Sequence, residues 1–254
     1  MNVNKLKCLW CISCMFVLLS CGPTIEQQQQ AADSQYQVGI AEFNRGNFAA
    51  ALEAFGKALE YYPHDPKCHN AMGLIYLQQK LYQNALSAFK KTLSLDPNFT
   101  EAHNNLGNTY AQLRDWDKAI IEFKETLSDP FYRTPALAHY NLGLALMERQ
   151  LQGDMFEAIK EFHAAVQLQP NFSRALDKYG IALYRVNRNQ EAIKQFKRAI
   201  EIDPQFIDPY LNLGMVYMKQ GNKEDAIAQF KLVLERAKDE KLIEEATRYL
   251  GILE

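Results

Sequence analysis

Six glycines, at positions 39, 73, 107, 143, 180 and 214, stand 34, 34, 36, 37 and 34 residues apart. Each leads to an alanine and, four residues beyond it, a phenylalanine: Ala51 and Phe55, Ala85 and Phe89, Ala119 and Phe123, Ala158 and Phe162, Ala192 and Phe196, Ala226 and Phe230. A period of this length belongs to stacked supersecondary units rather than to one irregular domain. Small residues let two antiparallel helices approach, and a phenylalanine one turn after the alanine fills the gap between them. Each unit therefore reads as a helical hairpin. Pro63, Pro97, Pro170 and Pro204 end the second helix of their units, and Lys238 stands where the sixth would have its proline. One hairpin cannot bury its apolar face alone, so the expected fold is all-α: a right-handed superhelical solenoid of six hairpins over residues 32–65, 66–99, 100–135, 136–172, 173–206 and 207–240.

The period breaks twice. Asp129-Pro130-Phe131-Tyr132-Arg133-Thr134-Pro135 adds two residues between the third and fourth units, and the turn at 151–155 adds three inside the fourth. Insertions of this kind map to loops on one face, as contact sites or as tolerated excursions. Beyond the sixth unit, Leu242, Ile243, Ala246, Tyr249, Leu250 and Leu253 recur at helical spacing with Glu244, Glu245 and Arg248 between them. Residues 241–254 are expected to form a capping helix, the alternative being a frayed tail.

The N-terminus follows another logic. Lys5 and Lys7 precede an apolar stretch from Cys8 to Leu19, shorter than the roughly 20 residues that span a bilayer. This is the pattern of an export signal over residues 1–20. Leu18-Leu19-Ser20-Cys21 resembles the lipobox of bacterial lipoproteins, which implies cleavage before Cys21 and lipidation of its thiol; an ordinary signal with a chance cysteine is the alternative. Gly22 takes the place of the aspartate that retains such lipoproteins in the inner membrane, so the resemblance implies the periplasmic face of the outer membrane. Residues 21–33, with Gln27 to Gln30, show no apolar periodicity and read as a tether reaching about 20 Å as a flexible coil.

Composition removes several classes of function. The 28 basic and 30 acidic side chains give a net charge of −2, and loss of the signal makes it about −4, so no nucleic-acid partner is expected. Cys68 is the one thiol left after signal removal and lipidation, which allows no internal disulfide. His69, His103 and His139 share one position in successive units and suggest a ladder of metal ligands. Equivalent positions of packed helices lie about 8–10 Å apart, however, against the 2.0–2.1 Å of a zinc–nitrogen bond. No metal and no other cofactor is expected. Phosphate loops, nucleophile elbows and metalloprotease helices are missing from the sequence after the signal, so no catalytic residue is assigned. A carboxylate pair such as Glu244-Glu245 reads as a solvated helix face.

His69-x2-Met72-Gly73-x2-Tyr76, then Ala85-x3-Phe89 and Pro97, resembles the tetratricopeptide-repeat signature with histidine in the tryptophan slot. The resemblance implies an inner groove lined by fixed positions of each first helix. Transferred here, these are Tyr36, Ile40 and Phe43, then Asn70, Leu74 and Leu77, then Asn104 and Asn108, then Tyr140, Leu144 and Met147. An extended peptide would find backbone partners in the asparagine amides and pockets among the apolar side chains. The later units show a more charged floor: Arg174, Asp177, Ile181, Tyr184, Arg185, Leu211, Met215, Met218 and Lys219.

A lipobox, a short polar segment and six repeats together resemble the PilW/PilF family of type IV pilus biogenesis lipoproteins, the pilotins of the pilus secretin. The run from Asn104-Asn105-Leu106-Gly107 through Asp129-Pro130-Phe131-Tyr132 to Asn141-Leu142-Gly143 carries the most particular part. The resemblance implies a non-enzymatic, membrane-anchored protein whose groove holds a secretin subunit and helps it reach and assemble in the outer membrane. An adaptor that scaffolds peptidoglycan enzymes or outer-membrane assembly machinery is the second reading. An enzyme using the repeats for targeting would need a catalytic domain beyond them.

Overall fold

A computed structural model describes residues 24–253, and every regular element among them is an α-helix. The export signal and the Cys21 anchor lie outside the described residues. The helices fall into two compact units, one ending at Pro97 and the other beginning at Asn98. The first holds α1 (Ile25–Asn44), α2 (Phe48–Tyr61), α3 (Pro66–Gln78) and α4 (Tyr82–Leu95). The second holds α5 (Thr100–Gln112), α6 (Trp116–Ser128), α7 (Pro135–Arg149), α8 (Asp154–Leu168), α9 (Ser173–Arg185), α10 (Asn189–Ile202), α11 (Asp208–Lys219), α12 (Lys223–Arg236) and α13 (Glu240–Leu253). Helices pair in sequence order as six hairpins, α1 with α2 through α11 with α12, and α13 packs on α11 and α12.

One difference from the sequence reading lies at the start. The tether expected over 21–33 is helical from Ile25 onward, so the glutamine run forms the first turns of α1. Its cause is local. The Thr24 hydroxyl accepts the Gln27 backbone N–H at 3.2 Å while the Gln27 side-chain carbonyl accepts the Thr24 N–H at 2.9 Å, a reciprocal cap that satisfies two otherwise orphan donors.

Each hairpin is locked by the same contact. Phe55, Phe89, Phe123, Phe162, Phe196 and Phe230 are at most 1% exposed. Each ring lies against the glycine of its own first helix so closely that a Cβ there would sit 2.5–2.8 Å from it. The glycine thus makes room for a ring, a sharper requirement than helix approach alone. The alanines one turn before the rings are fully buried.

The turn inside each hairpin also repeats. The seventh residue after the glycine has positive φ in every unit: Gly46, Lys80, Arg114, Gln150, Asn187 and Gly221. In five units two backbone bonds close the helix end, as where Lys80 N–H reaches the Leu77 carbonyl at 3.0 Å and Leu81 N–H reaches Tyr76 at 2.8 Å. The fourth unit keeps only the Gln150 to Leu146 bond, because its three-residue insertion follows. That insertion is held instead by charge. Arg149 donates two bonds to Asp154, at 2.9 and 2.7 Å, and a third to Asp117 at 2.9 Å, while Asp154 also accepts the Leu151 N–H. The hydrogen bonds from Arg149 hold the nearly buried Asp154 carboxyl below its ordinary range despite its burial. The 129–135 insertion is ordered by Asp129, which takes the Thr100 hydroxyl at 2.6 Å and the Phe131 N–H at 2.8 Å.

Candidate partner-binding surface

The expected groove positions recur at i, i+4 and i+7 on each first helix, which places them on one face. In the first compact unit this face comes from α1 and α3, which touch. Tyr36, Ile40 and Phe43 are half-buried because they also close the core around Phe55 and Ile75. The Tyr36 ring lies 5.6 Å from Phe55, and Phe43 lies 6.0 Å from Phe48. Asn70, Leu74 and Leu77 on α3 are half-buried, and the two leucines are not among the side chains that seal that core. Both leave part of their apolar side chains uncovered on the expected groove face.

In the second unit the same positions are more committed to the protein itself. Asn104 is 8% exposed and its side-chain carbonyl is buried without a hydrogen-bond partner, and Met147 is 4% exposed. Both are more buried than the expectation of groove-lining contacts implies. Asn108 accepts a 3.1 Å bond from the Asn141 amide. Tyr140 is half-buried with its ring 5.0 Å from Phe172 and 6.1 Å from Phe162, and burial raises its phenol. Leu144 is half-buried beside it on α7.

The later repeats carry the most polar part of the surface. Asp177 is fully buried, with its carboxylate held by the Lys178 ammonium at 3.0 Å and the Asn212 amide at 2.7 Å. Burial pushes its carboxyl up against the pull of those two groups. The Asn212 bond ties α9 to α11. Alongside, a cavity of 490 Å³ is lined by Ile181, Tyr184, Arg185, Phe196, Asn212 and Met215 together with Lys241, Glu245, Arg248 and Tyr249 of α13. Tyr249 reaches it by stacking on Phe230, with centroids 5.3 Å apart. Sequence reasoning assigned α13 to capping alone. No periodic signal marks it as a wall, because that follows from where the helix folds back.

The histidines have structural partners. His103 pairs with Glu122 at 2.7 Å and His139 with Glu161 at 2.6 Å, in each case the residue before the hairpin phenylalanine. Ala88 occupies that slot opposite His69, whose Nε2 is buried without a partner and whose pKa burial lowers. Among the described residues no three His, Cys, Asp or Glu side chains are placed to hold a metal ion.

Comparison with known proteins agrees with the hairpin pattern. Residues 36–98, 76–129 and 207–240 match families described as tetratricopeptide repeat, and 180–221 match one described as TPR repeat. No curated protein matches the chain at a significant level. Among solved structures, the chain is similar to PilF of Pseudomonas aeruginosa, with a TM-score of 0.76 and 18% identity over 88% of this chain and 98% of that one. PilW, described as a widely conserved type IV pilus biogenesis factor, has a TM-score of 0.73 and 21% identity over 87% and 99%. YrrB, described as a TPR protein with an unusual peptide-binding site, has a TM-score of 0.65 and 25% identity over 78% and 99%.

Proposed function

The chain is a tetratricopeptide-repeat protein with the fold of PilF and PilW, a protein-interaction scaffold, and from that premise we propose that it is a pilotin of the type IV pilus secretin. It would be lipidated at Cys21, anchored to the periplasmic face of the outer membrane, and would hold a segment of the secretin subunit on the inner face of its first hairpins. Mutual coverage supports the reading: the fold matches PilF and PilW over 98% and 99% of their lengths. The resemblance of Leu18-Leu19-Ser20-Cys21 to a lipobox supports the membrane anchor. Several acyl chains anchor stably, since each buried methylene contributes about 0.8 kcal/mol.

Leu74 and Leu77 make the test sharp, because they are half-buried and lie outside the set that closes the core. Replacing Leu74 with Asp places a charge where an apolar side chain would dock, and secretin recovered by affinity capture is expected to fall at least tenfold, about 1.4 kcal/mol. The far-ultraviolet dichroism of the variant should match wild type. A well-folded Leu74→Asp protein that captures secretin as wild type does would sink the proposal. Capture of murein enzymes or assembly-machine subunits in place of secretin would favour the adaptor reading.

A further inference from the structure

The two turns that flank the fourth hairpin enclose a cavity of 480 Å³, with Arg133, Thr134 and Leu137 from one side and Leu168, Phe172 and Arg174 from the other. Of these only Arg174 counts among the expected inner-face positions; the rest belong to the turns and to the helix ends beside them. The construction is particular to this hairpin. Four other glycines have a proline ten residues before them, Pro63, Pro97, Pro170 and Pro204, whereas Gly143 has Arg133. Arg133 and Arg174 are exposed, and neither forms an ion pair among the described residues. No carboxylate lines the cavity. Asp129, the one acidic residue within 129–137 and 168–174, is taken up by the Thr100 hydroxyl and the Phe131 N–H. Asp177, one turn on from Arg174, is fully buried and bonded to Lys178 and Asn212. Apolar surface continues past the cavity: Leu168 lies twelve residues before Gly180 and is 54% exposed, and Phe131 holds the same place before Gly143 and is 88% exposed.

We propose that this recess between the inter-hairpin turns docks a protein segment that carries carboxylates beside large apolar side chains. Charge complementarity selects the acid. A guanidinium on each side and no lining carboxylate favour an anionic segment, which arginine can take in a forked pair of bonds, and repel a basic one. The apolar side chains of the segment cover Leu137, Leu168 and the edge of Phe172. A small anion would leave that surface and Phe131 bare, whereas a chain running past the cavity covers both. A flat anionic bilayer would meet Phe131 without entering a recess between two turns. The site owes nothing to the apolar face of the first hairpins and does not rest on the pilotin reading.

The test uses the full-length protein in nonionic detergent and four labelled, end-blocked hexapeptides with a glycine at each end. Their central residues are Asp-Phe-Leu-Asp, Asn-Phe-Leu-Asn, Lys-Phe-Leu-Lys or Asp-Ala-Ala-Asp. Fluorescence anisotropy should show the Asp-Phe-Leu-Asp peptide binding at least tenfold tighter than the other three, with its margin over the asparagine peptide shrinking as salt is raised. Arg133→Glu combined with Arg174→Glu, both exposed, should abolish that preference, and Leu168→Asp should weaken it. Leu74→Asp should leave it unchanged, and phosphatidylglycerol mixed into the micelles should not displace the peptide. Equal binding of all peptides, no binding, or a preference that survives the double charge reversal overturns the inference. Displacement by the lipid, or tight binding of Asp-Ala-Ala-Asp alone, overturns it in favour of a membrane contact or a simple anion site. None of these outcomes bears on secretin capture through Leu74, so the two proposals fail separately.

Discussion

Substituting Gly180 with Ala tests the contact that repeats in every hairpin. A helix-interior glycine replaced by alanine ordinarily stabilises by about 1 kcal/mol, since alanine loses less chain entropy on folding. At Gly180 the new Cβ would lie 2.5 Å from Phe196 Cε1, 2.7 Å from Cζ and 2.8 Å from Cδ1. Phe196 is 1% exposed and Ala192 and Ala199 beside it on α10 are fully buried, so the ring can give only toward the 490 Å³ cavity it borders, which leaves part of the overlap in place. Overpacking of this kind costs about 1–3 kcal/mol, and it outweighs the propensity gain. Gly56 provides the control within the same fold. It lies inside α2 with nothing within 4 Å of its Cβ direction, so Gly56→Ala should gain up to about 1 kcal/mol. Urea unfolding followed by circular dichroism compares the midpoints at constant slope. The two variants must shift in opposite directions. Adding Phe196→Leu to Gly180→Ala should recover part of the loss, measured as a coupling in the double-mutant cycle. A Gly180→Ala protein as stabilised as Gly56→Ala would refute the reasoning.

Other perturbations follow from the turns. Lys80 and Arg114 hold φ of 61° and 58° where Gly46 and Gly221 serve in other hairpins, so Lys80→Gly or Arg114→Gly should raise the unfolding free energy by about 0.5–1 kcal/mol, read as a higher urea midpoint at constant slope. Arg149→Met should destabilise by about 3 kcal/mol, because it leaves the Asp154 carboxylate, 5% exposed, without its bidentate partner. The Asp154 pKa is lowered in the fold, so its contribution is present above its ordinary value of 3.8 and is lost as the pH falls through the lower folded value. Acid titration of the unfolding midpoint should therefore show a smaller dependence in Arg149→Met than in wild type.

The hairpins were legible because glycine, alanine and phenylalanine recur at offsets fixed by helix geometry. The Gly–Phe contact was half legible: the residues were identified, but that each ring sits on its own hairpin's glycine needed the packing. The helical start of α1 had a signal in Thr24-x-x-Gln27, which the low complexity of the glutamine run obscured. The His103–Glu122 and His139–Glu161 pairs also had one, a histidine on the first helix and a glutamate just before the phenylalanine. Asn104 and Asp177 fall at groove positions by count yet are buried, because a position in a repeat does not specify how closely the next helix covers it. The cavity against α13 was half legible, since Ile181, Tyr184, Arg185 and Met215 fall at groove positions by count while its α13 wall is brought in by tertiary folding.

The central claim, that an anchored repeat protein carries a secretin subunit to the outer membrane, is met most directly by fractionating envelopes from cells that make wild type, Cys21→Ala or Leu74→Asp and measuring secretin multimer in the outer membrane. The account predicts abundant multimer with wild type and a marked loss with either variant, through a missing anchor in one and a missing grip in the other. Undiminished outer-membrane multimer in both variants, each present at wild-type level, would contradict it.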